Sequence, residues 1–200
     1  LALNVLTFNY RGVGKSEGYP TRARDLTEDT KAILAYLMKI GAQEKDICIY
    51  GRSLGGGVGA AAAASYPGVH FCSDRSFSSL GLAIKHFIQK KTYPIPLNPL
   101  GYLGELLLSR GLEWEWKSCD LFEKKITGKK CVIFVDEKEE KDGVFDAIIP
   151  YKVSLKYALQ QRAYKNYASI PISYSDVSDF PNEGKIEVHH RAILSMPCVL

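Results

Sequence analysis

The stretch Asp46-Ile47-Cys48-Ile49-Tyr50-Gly51-Arg52-Ser53-Leu54-Gly55-Gly56-Gly57-Val58-Gly59-Ala60 decides the fold. Its first five residues, apolar from Ile47 onward, are expected to form a buried strand. After Gly51 the composition turns to glycine and alanine through Ser65, which predicts a helix packed closely on a sheet. Between the two lies Gly51-Arg52-Ser53-Leu54-Gly55, a G-x-S-x-G pattern set after a strand and before a helix, the context that gives it meaning. A sharp strand-to-helix turn lifts the serine above the sheet in a strained backbone conformation. Glycines two positions to either side let strand and helix approach. Ser53 then stands at a helix N-terminus, whose positive end favours developing negative charge. The Leu54 N–H is aimed where an oxyanion would form.

Outward from this turn, strands and helices alternate. Leu3, Val5, Leu6 and Phe8 predict a short buried strand over 2–8, followed by the turn-rich run Asn9–Gly18. Leu26, Ile33, Leu34, Leu37 and Ile40 recur at helical spacing, with Gly41 as the stop. Further strands are expected at Val69–Cys72, Lys130–Val135 and Ile170–Tyr174, and helices at Leu82–Lys90, Glu105–Leu112 and Tyr151–Arg162. Thr92–Gly104 is rich in proline and has no strong period, so residues 92–113 read as an insertion or lid. The alternation implies crossover connections and a mostly parallel sheet flanked by helices, in a single α/β domain over 1–200. The chain opens on Leu1 inside an apolar run, which predicts a fragment that lacks the first strands of its sheet.

Composition narrows the function. Of 200 residues, 46% are hydrophobic and 24% charged, the balance of a folded globular chain. No apolar run reaches the ~18 residues that cross a bilayer. The net charge of +4 is scattered, with no basic stripe or motif for nucleic acid. The five cysteines, Cys48, Cys72, Cys119, Cys131 and Cys198, show no CxxC spacing, and no metal cluster is visible. Cys48, Cys72 and Cys131 sit in apolar runs and are expected to pack as small hydrophobes.

Three segments together resemble the α/β-hydrolase superfamily. One is the turn around Ser53. Another is Asn9-Tyr10-Arg11-Gly12-Val13-Gly14-Lys15-Ser16-Glu17-Gly18, which is similar to the family's strand-end loop D-Y-R-G-x-G-x-S-x-G, with Asn9 where aspartate is common. The third, Asp74-Arg75-Ser76-Phe77-Ser78-Ser79-Leu80, is similar to the D-R-x-F-x-S segment of a bacterial branch that includes chlamydial 43-kDa-type and effector-like proteins. The resemblance covers most of the chain, leaving Thr92–Glu113 and Tyr164–Glu183 unplaced.

A serine hydroxyl needs a base, and the base an orienting carboxylate. In the family the chain order is serine, acid, histidine. Asp146-Ala147-Ile148-Ile149-Pro150 matches the D-x-x-[IV]-P turn that carries the acid there, and Asp136, directly after the strand Lys130–Val135, is the rival. For the base, His190 fits the H-x-x-x-L shape of His190–Leu194, with His189 beside it as the alternative. His70 and His86 lie in apolar elements and are expected to be packed or surface residues. The family's second oxyanion donor comes from an earlier loop that this sequence does not include.

Two phosphate-loop likenesses fall away. Gly14-Lys15-Ser16 lacks the opening glycine of a P-loop, where Asn9 stands instead. The glycines of Gly55–Ala60 begin inside the presumed helix rather than at the strand end, unlike a dinucleotide site. Trp114 and Trp116 are expected to be packing residues. The resemblance thus implies a serine hydrolase with no cofactor, cleaving an ester, thioester or amide through an acyl-enzyme, esterase- or lipase-like. Its substrate would be a small-molecule or lipid acyl compound, with Leu97, Leu100, Leu103 and Leu106–Leu108 lining an apolar entrance. The Tyr- and Pro-rich segment Thr92–Leu108 would either cap an acyl pocket, make peripheral membrane contact or form an ordinary surface excursion. The alternative is a non-catalytic effector-like scaffold binding a host or partner protein. The expected location is the cytoplasm or, after secretion, a host cell.

Overall fold

The structure, a computed structural model, describes residues 3–91, 113–136, 146 and 148–172. Four strands, β1 (Cys48–Arg52), β2 (His70–Asp74), β3 (Lys130–Val135) and β4 (Ala168–Ile172), form one parallel sheet in the order β1-β2-β3-β4. The register sets Tyr50 opposite Cys72, Cys72 opposite Cys131, and Val135 opposite Ile172. Every residue of β3 is buried, so this inner strand reads as an unbroken run rather than an alternating one.

The helices are α1 (Ala23–Lys39), α2 (Leu54–Ala63), α3 (Leu80–Lys91), α4 (Ser118–Lys124) and α5 (Leu155–Gln161). Phe71, Val132 and Phe134 point to one side of the sheet and pack with Ala60 and Ala63 of α2, Phe122 of α4, and Leu155 and Leu159 of α5. The alternate residues Cys72, Cys131, Ile133, Val135 and Ile172 cluster on the other side. Helix α1 rides on α2 through Leu26 and Leu34. Its start is fixed by Asp25, whose carboxylate accepts the N–H groups of Thr21 (2.8 Å) and Arg22 (3.2 Å). Its end is set by Gly41 at φ +107°, whose N–H reaches the Met38 carbonyl.

Lys130 opens β3 with its ammonium buried. It donates to the carbonyls of Phe122 (3.0 Å) and Ile126 (2.8 Å) and to the Tyr164 hydroxyl, and lies over the Phe122 and Tyr164 rings. Trp114 and Trp116 meet edge to face, and the Trp116 indole donates to Thr27 at 3.2 Å, a packing role as expected. No helix among the described residues is long and apolar enough to cross a membrane.

Several elements differ from the sequence reading. The expected strand over 2–8 does not form: residues 3–8 join no ladder, and Leu3, Val5 and Leu6 are exposed. An apolar run specifies a face, but a strand also needs a hydrogen-bonding neighbour, and none of the described residues supplies one. Cys48 is exposed because β1 is an edge strand. The expected helix over 151–162 is a 3₁₀ turn (Tyr151–Val153) followed by α5. Ser154 breaks it in extended conformation and caps α5 by accepting the Tyr157 N–H. Strand windows shift by one or two residues at β1, β2 and β4. The segment 92–112, with the expected helix over 105–112, lies outside the described residues.

Candidate functional site

Strand β1 ends at Arg52, α2 begins at Leu54, and Ser53 alone makes the turn. It does so at φ +53°, ψ −118°, a backbone conformation that costs a non-glycine residue on the order of 1–3 kcal/mol. The strain is held on both polar groups of the residue. The Ser53 N–H donates to the Asp74 carbonyl at 3.0 Å, and the Ser53 carbonyl accepts the Ser76 hydroxyl (2.8 Å) and the Gly56 N–H (3.0 Å). Ser53 is half-buried and Leu54 exposed, so the turn sits at the surface.

The glycine requirement differs from the pattern's symmetry. A Cβ on Gly51 would lie 2.3 Å from the Gly55 carbonyl oxygen, so Gly51 is obligatory. A Cβ on Gly55 meets nothing within 4 Å, whereas one on Gly56 would lie 2.3 Å from the Ser76 hydroxyl oxygen. Close approach is therefore enforced at positions 51 and 56.

The loop after β2 forms the adjoining wall. Asp74 is fully buried and receives Nε and Nη2 of Arg75, each at 2.8 Å, together with the Tyr50 hydroxyl. Arg75 is itself at φ +43°, its N–H bonded to the Ile133 carbonyl at 2.9 Å. Burial works against the Arg75 charge, but the hydrogen bonds to Asp74 outweigh it. The charges of Asp74, Tyr50 and Asp146 add to them, and the guanidinium pKa is raised. Burial, then the bond to Asp74, pushes the Tyr50 phenol up.

Asp146 is buried, and its Oδ1 accepts the N–H groups of Ile148 and Ile149, both at 2.9 Å. The segment that follows docks on the same loop after β2: Ser78 donates to the Val153 carbonyl through both N–H and hydroxyl, and the Leu155 N–H reaches the Ser76 carbonyl at 2.9 Å. The Asp146 turn and the Ser53 turn thus share one support, residues 74–78. Asp136 follows β3 directly and is half-buried. His189 and His190 lie outside the described residues. His70 is a packing residue, its Nδ1 accepting the Lys129 N–H.

The Asn9–Gly18 loop is tied to α1 by Arg11, whose Nη2 is 2.6 Å from Asp29 Oδ1 and whose N–H reaches Oδ2 at 3.0 Å. Gly14, at φ +59°, packs on the Asn9 amide, and the Ser16 hydroxyl donates to the Asn9 carbonyl. The roles of Tyr50, Arg75 and Ser76 were not legible beforehand; the only signal was the D-R-S-F segment itself. Among the described residues no group of three or more His, Cys, Asp and Glu is placed to hold a metal. A cavity of about 600 Å³ between α1, α2 and residues 113–121, lined by Thr27, Ala61 and Trp116, does not include Ser53 or Asp146.

Over residues 1–185 the chain matches the model of the family described as Chlamydia CHLPS protein (DUF818). The chain belongs to this family. This CHLPS-family chain is also 43% identical over 61 residues to the alpha/beta hydrolase domain-containing protein WAV2 of Arabidopsis thaliana, a match over 30% of this chain and 20% of that protein. Among solved structures it is similar to an alpha-beta serine hydrolase homologue from Coxiella burnetii, at 18% identity and TM-score 0.48, over 83% of this chain and 57% of that one. It is also similar to a lipase-esterase related protein from Clostridium acetobutylicum, at 13% identity and TM-score 0.47, over 83% and 72%. The CHLPS-family chain therefore spans a fifth of the plant relative and little more than half of the Coxiella protein. Its architecture is a parallel four-stranded sheet flanked by helices.

Proposed function

We propose that this chain carries the nucleophile and acid of a serine hydrolase acting through an acyl-enzyme. Ser53 Oγ attacks the acyl carbon of an ester, thioester or amide. His190, or His189 in its place, takes the hydroxyl proton and returns it to the leaving group, and Asp146 orients the imidazole. The Leu54 N–H receives the oxyanion. Water then attacks the acyl-enzyme by the same route, and no step needs a cofactor.

The observation that supports this reading is the backbone of Ser53: a non-glycine residue in the left-handed region, at the C-terminal end of a parallel strand, held by hydrogen bonds with Asp74, Ser76 and Gly56 and followed at once by a helix. Such strain is retained where the surrounding structure over-determines it, and sites of chemistry are where it concentrates. An esterase- or lipase-like preference for small-molecule or lipid acyl substrates rests on the leucines of 97–108, and peripheral membrane contact on the segment 92–108, both from sequence alone. Action in the cytoplasm or in a host cell belongs to the same proposal.

The test is fluorophosphonate labelling of the folded full-length protein. Covalent labelling that disappears with Ser53→Ala is expected. Absence of labelling, or equal labelling of the variant, overturns the reading in favour of a scaffold that binds a partner protein.

A further inference from the structure

We propose that Ser76 is a positioning residue for the oxyanion site, its hydroxyl fixing the peptide plane that carries the Leu54 N–H. The inference rests on the hydrolase reading for its catalytic consequence, and on geometry alone for its structural one.

The Ser53 carbonyl and the Leu54 N–H are the two ends of one peptide group. That group is planar and trans, so its oxygen and hydrogen point in opposite directions. Whatever grips the oxygen also aims the hydrogen. Two donors grip it: the Gly56 N–H at 3.0 Å, from the first turn of α2, and the Ser76 hydroxyl at 2.8 Å, from the loop after β2. The first belongs to the helix and would move with it. The second ties the plane to the sheet.

Ser76 is suited to the task. It is almost fully buried, so water cannot replace its hydroxyl without cost. Its own carbonyl accepts the Leu155 N–H at 2.9 Å, which anchors it to the segment that begins at Asp146. Its Oγ would lie 2.3 Å from a Cβ on residue 56, so glycine at 56 is what lets the hydroxyl reach the carbonyl. A hydrogen bond to the carbonyl also polarises the peptide and makes the N–H at its other end a better donor. Leu54 is the first residue of α2, so this N–H has no partner within the helix and is available to a ligand.

The experiment uses the full-length protein with Ser76→Ala and Ser76→Cys, the latter keeping shape with a weaker donor. Two quantities are read: the nitrogen and proton shifts of the Leu54 amide, and kcat and KM for a p-nitrophenyl acyl ester. For Ser76→Ala the Leu54 nitrogen is expected to move upfield. An oxyanion donor deleted outright costs 10²–10³ in kcat, so a misaimed one is expected to cost about ten-fold, with KM within about two-fold. A boronic acid inhibitor should weaken by the same factor as kcat/KM falls. Ser76→Cys should fall between wild type and Ser76→Ala, and it serves alone if the alanine variant does not fold. A Leu54 resonance unmoved in the folded variant, or an unchanged kcat, overturns the proposal. If Ser53→Ala is as active as wild type, the hydrolase reading has failed instead, and the Leu54 resonance still decides whether Ser76 sets the peptide plane.

Discussion

Ser53 and Asp74 are joined across the ends of neighbouring parallel strands by one main-chain hydrogen bond, from the N–H of 53 to the carbonyl of 74, at 3.0 Å. The bond continues the β1–β2 ladder one step past the sheet, into a residue whose backbone has already left strand conformation. It makes the Ser53 turn depend on how Asp74 is held, and Asp74 is held by a buried ion pair. The tests that follow begin there.

Removing the guanidinium should be costly. In Arg75→Met the carboxylate of Asp74, buried to zero exposure, loses its bidentate partner. A loss of about 3–5 kcal/mol in urea-unfolding free energy is expected, since breaking one side of a buried pair leaves an uncompensated charge. The double variant Asp74→Asn/Arg75→Met should recover part of that loss. If the double is no more stable than the single, the pair is not what holds the loop.

The glycines should separate by site rather than by motif. Gly51→Ala and Gly56→Ala each force a Cβ to within 2.3 Å of another atom and are expected to cost about 1–3 kcal/mol. Gly55→Ala, with open space, should stay within about 0.5 kcal/mol of wild type. Equal destabilisation at 51, 55 and 56 by chemical unfolding would contradict the packing described.

Asp146 holds a turn and, in the proposed function, orients the base, and substitution can separate the two. Asp146→Asn keeps an oxygen to accept the Ile148 and Ile149 N–H groups, so the turn should hold, while hydrolysis should fall by roughly 10⁴ for want of an orienting carboxylate. Asp146→Ala should lose the turn as well, at about 1–2 kcal/mol. Asp136→Asn, if Asp146 is the acid, should leave kcat within a few-fold of wild type. A steady-state assay of the three variants reads the assignment directly.

Acid should weaken the ties at the start of α1 and the link from α4 to Arg162. The Thr21 N–H and hydroxyl hold the Asp25 carboxyl down at about 2. Burial alone would raise Asp29, but its bonds from Arg11 outweigh that and lower it, and Arg162 lowers Asp120. A carboxyl whose folded pKa is depressed contributes stability above its ordinary value near 4 and loses it as pH falls through the folded value. Glu115 runs the other way: burial raises it against the Leu80 and Gly81 N–H groups it accepts, so its ionised form opposes folding. The expected net result is a melting temperature that falls between about pH 4 and pH 2. Asp25→Asn should flatten that fall, and an unchanged slope would discount the Thr21 bonds.

Much of the fold was legible because its signals are local. The DICIY run, the glycine-alanine switch after Gly51 and the run at Lys130–Val135 each announce an element, and each forms within a residue or two of its expected bounds. The strand expected over 2–8 failed because pairing is a property of two segments, and one segment's sequence cannot report it. Of the candidate site, the turn at Ser53 was legible from its flanking glycines and the turn at Asp146 from the residues that follow it, while their chemical roles belong to the proposal. The contact of Ser76 with residue 53 was not legible, because it crosses the sheet edge between residues 23 apart in the chain. Tyr50 and Asp74 meet for the same reason, since parallel neighbours lie far apart in the chain.

The β2–β3 pairing has an evolutionary reach of its own. Asp74 and Ile133 are neighbours in the sheet, yet the chain between them includes the whole proline- and leucine-rich tract from Thr92 onward. Closing such an excursion costs entropy only as the logarithm of its length, so doubling it adds about 0.6 kcal/mol. Nature can therefore lengthen, trim or rewrite that tract at small thermodynamic expense. Ser53, braced through Asp74 and Ser76, would stay where it is while that tract changes.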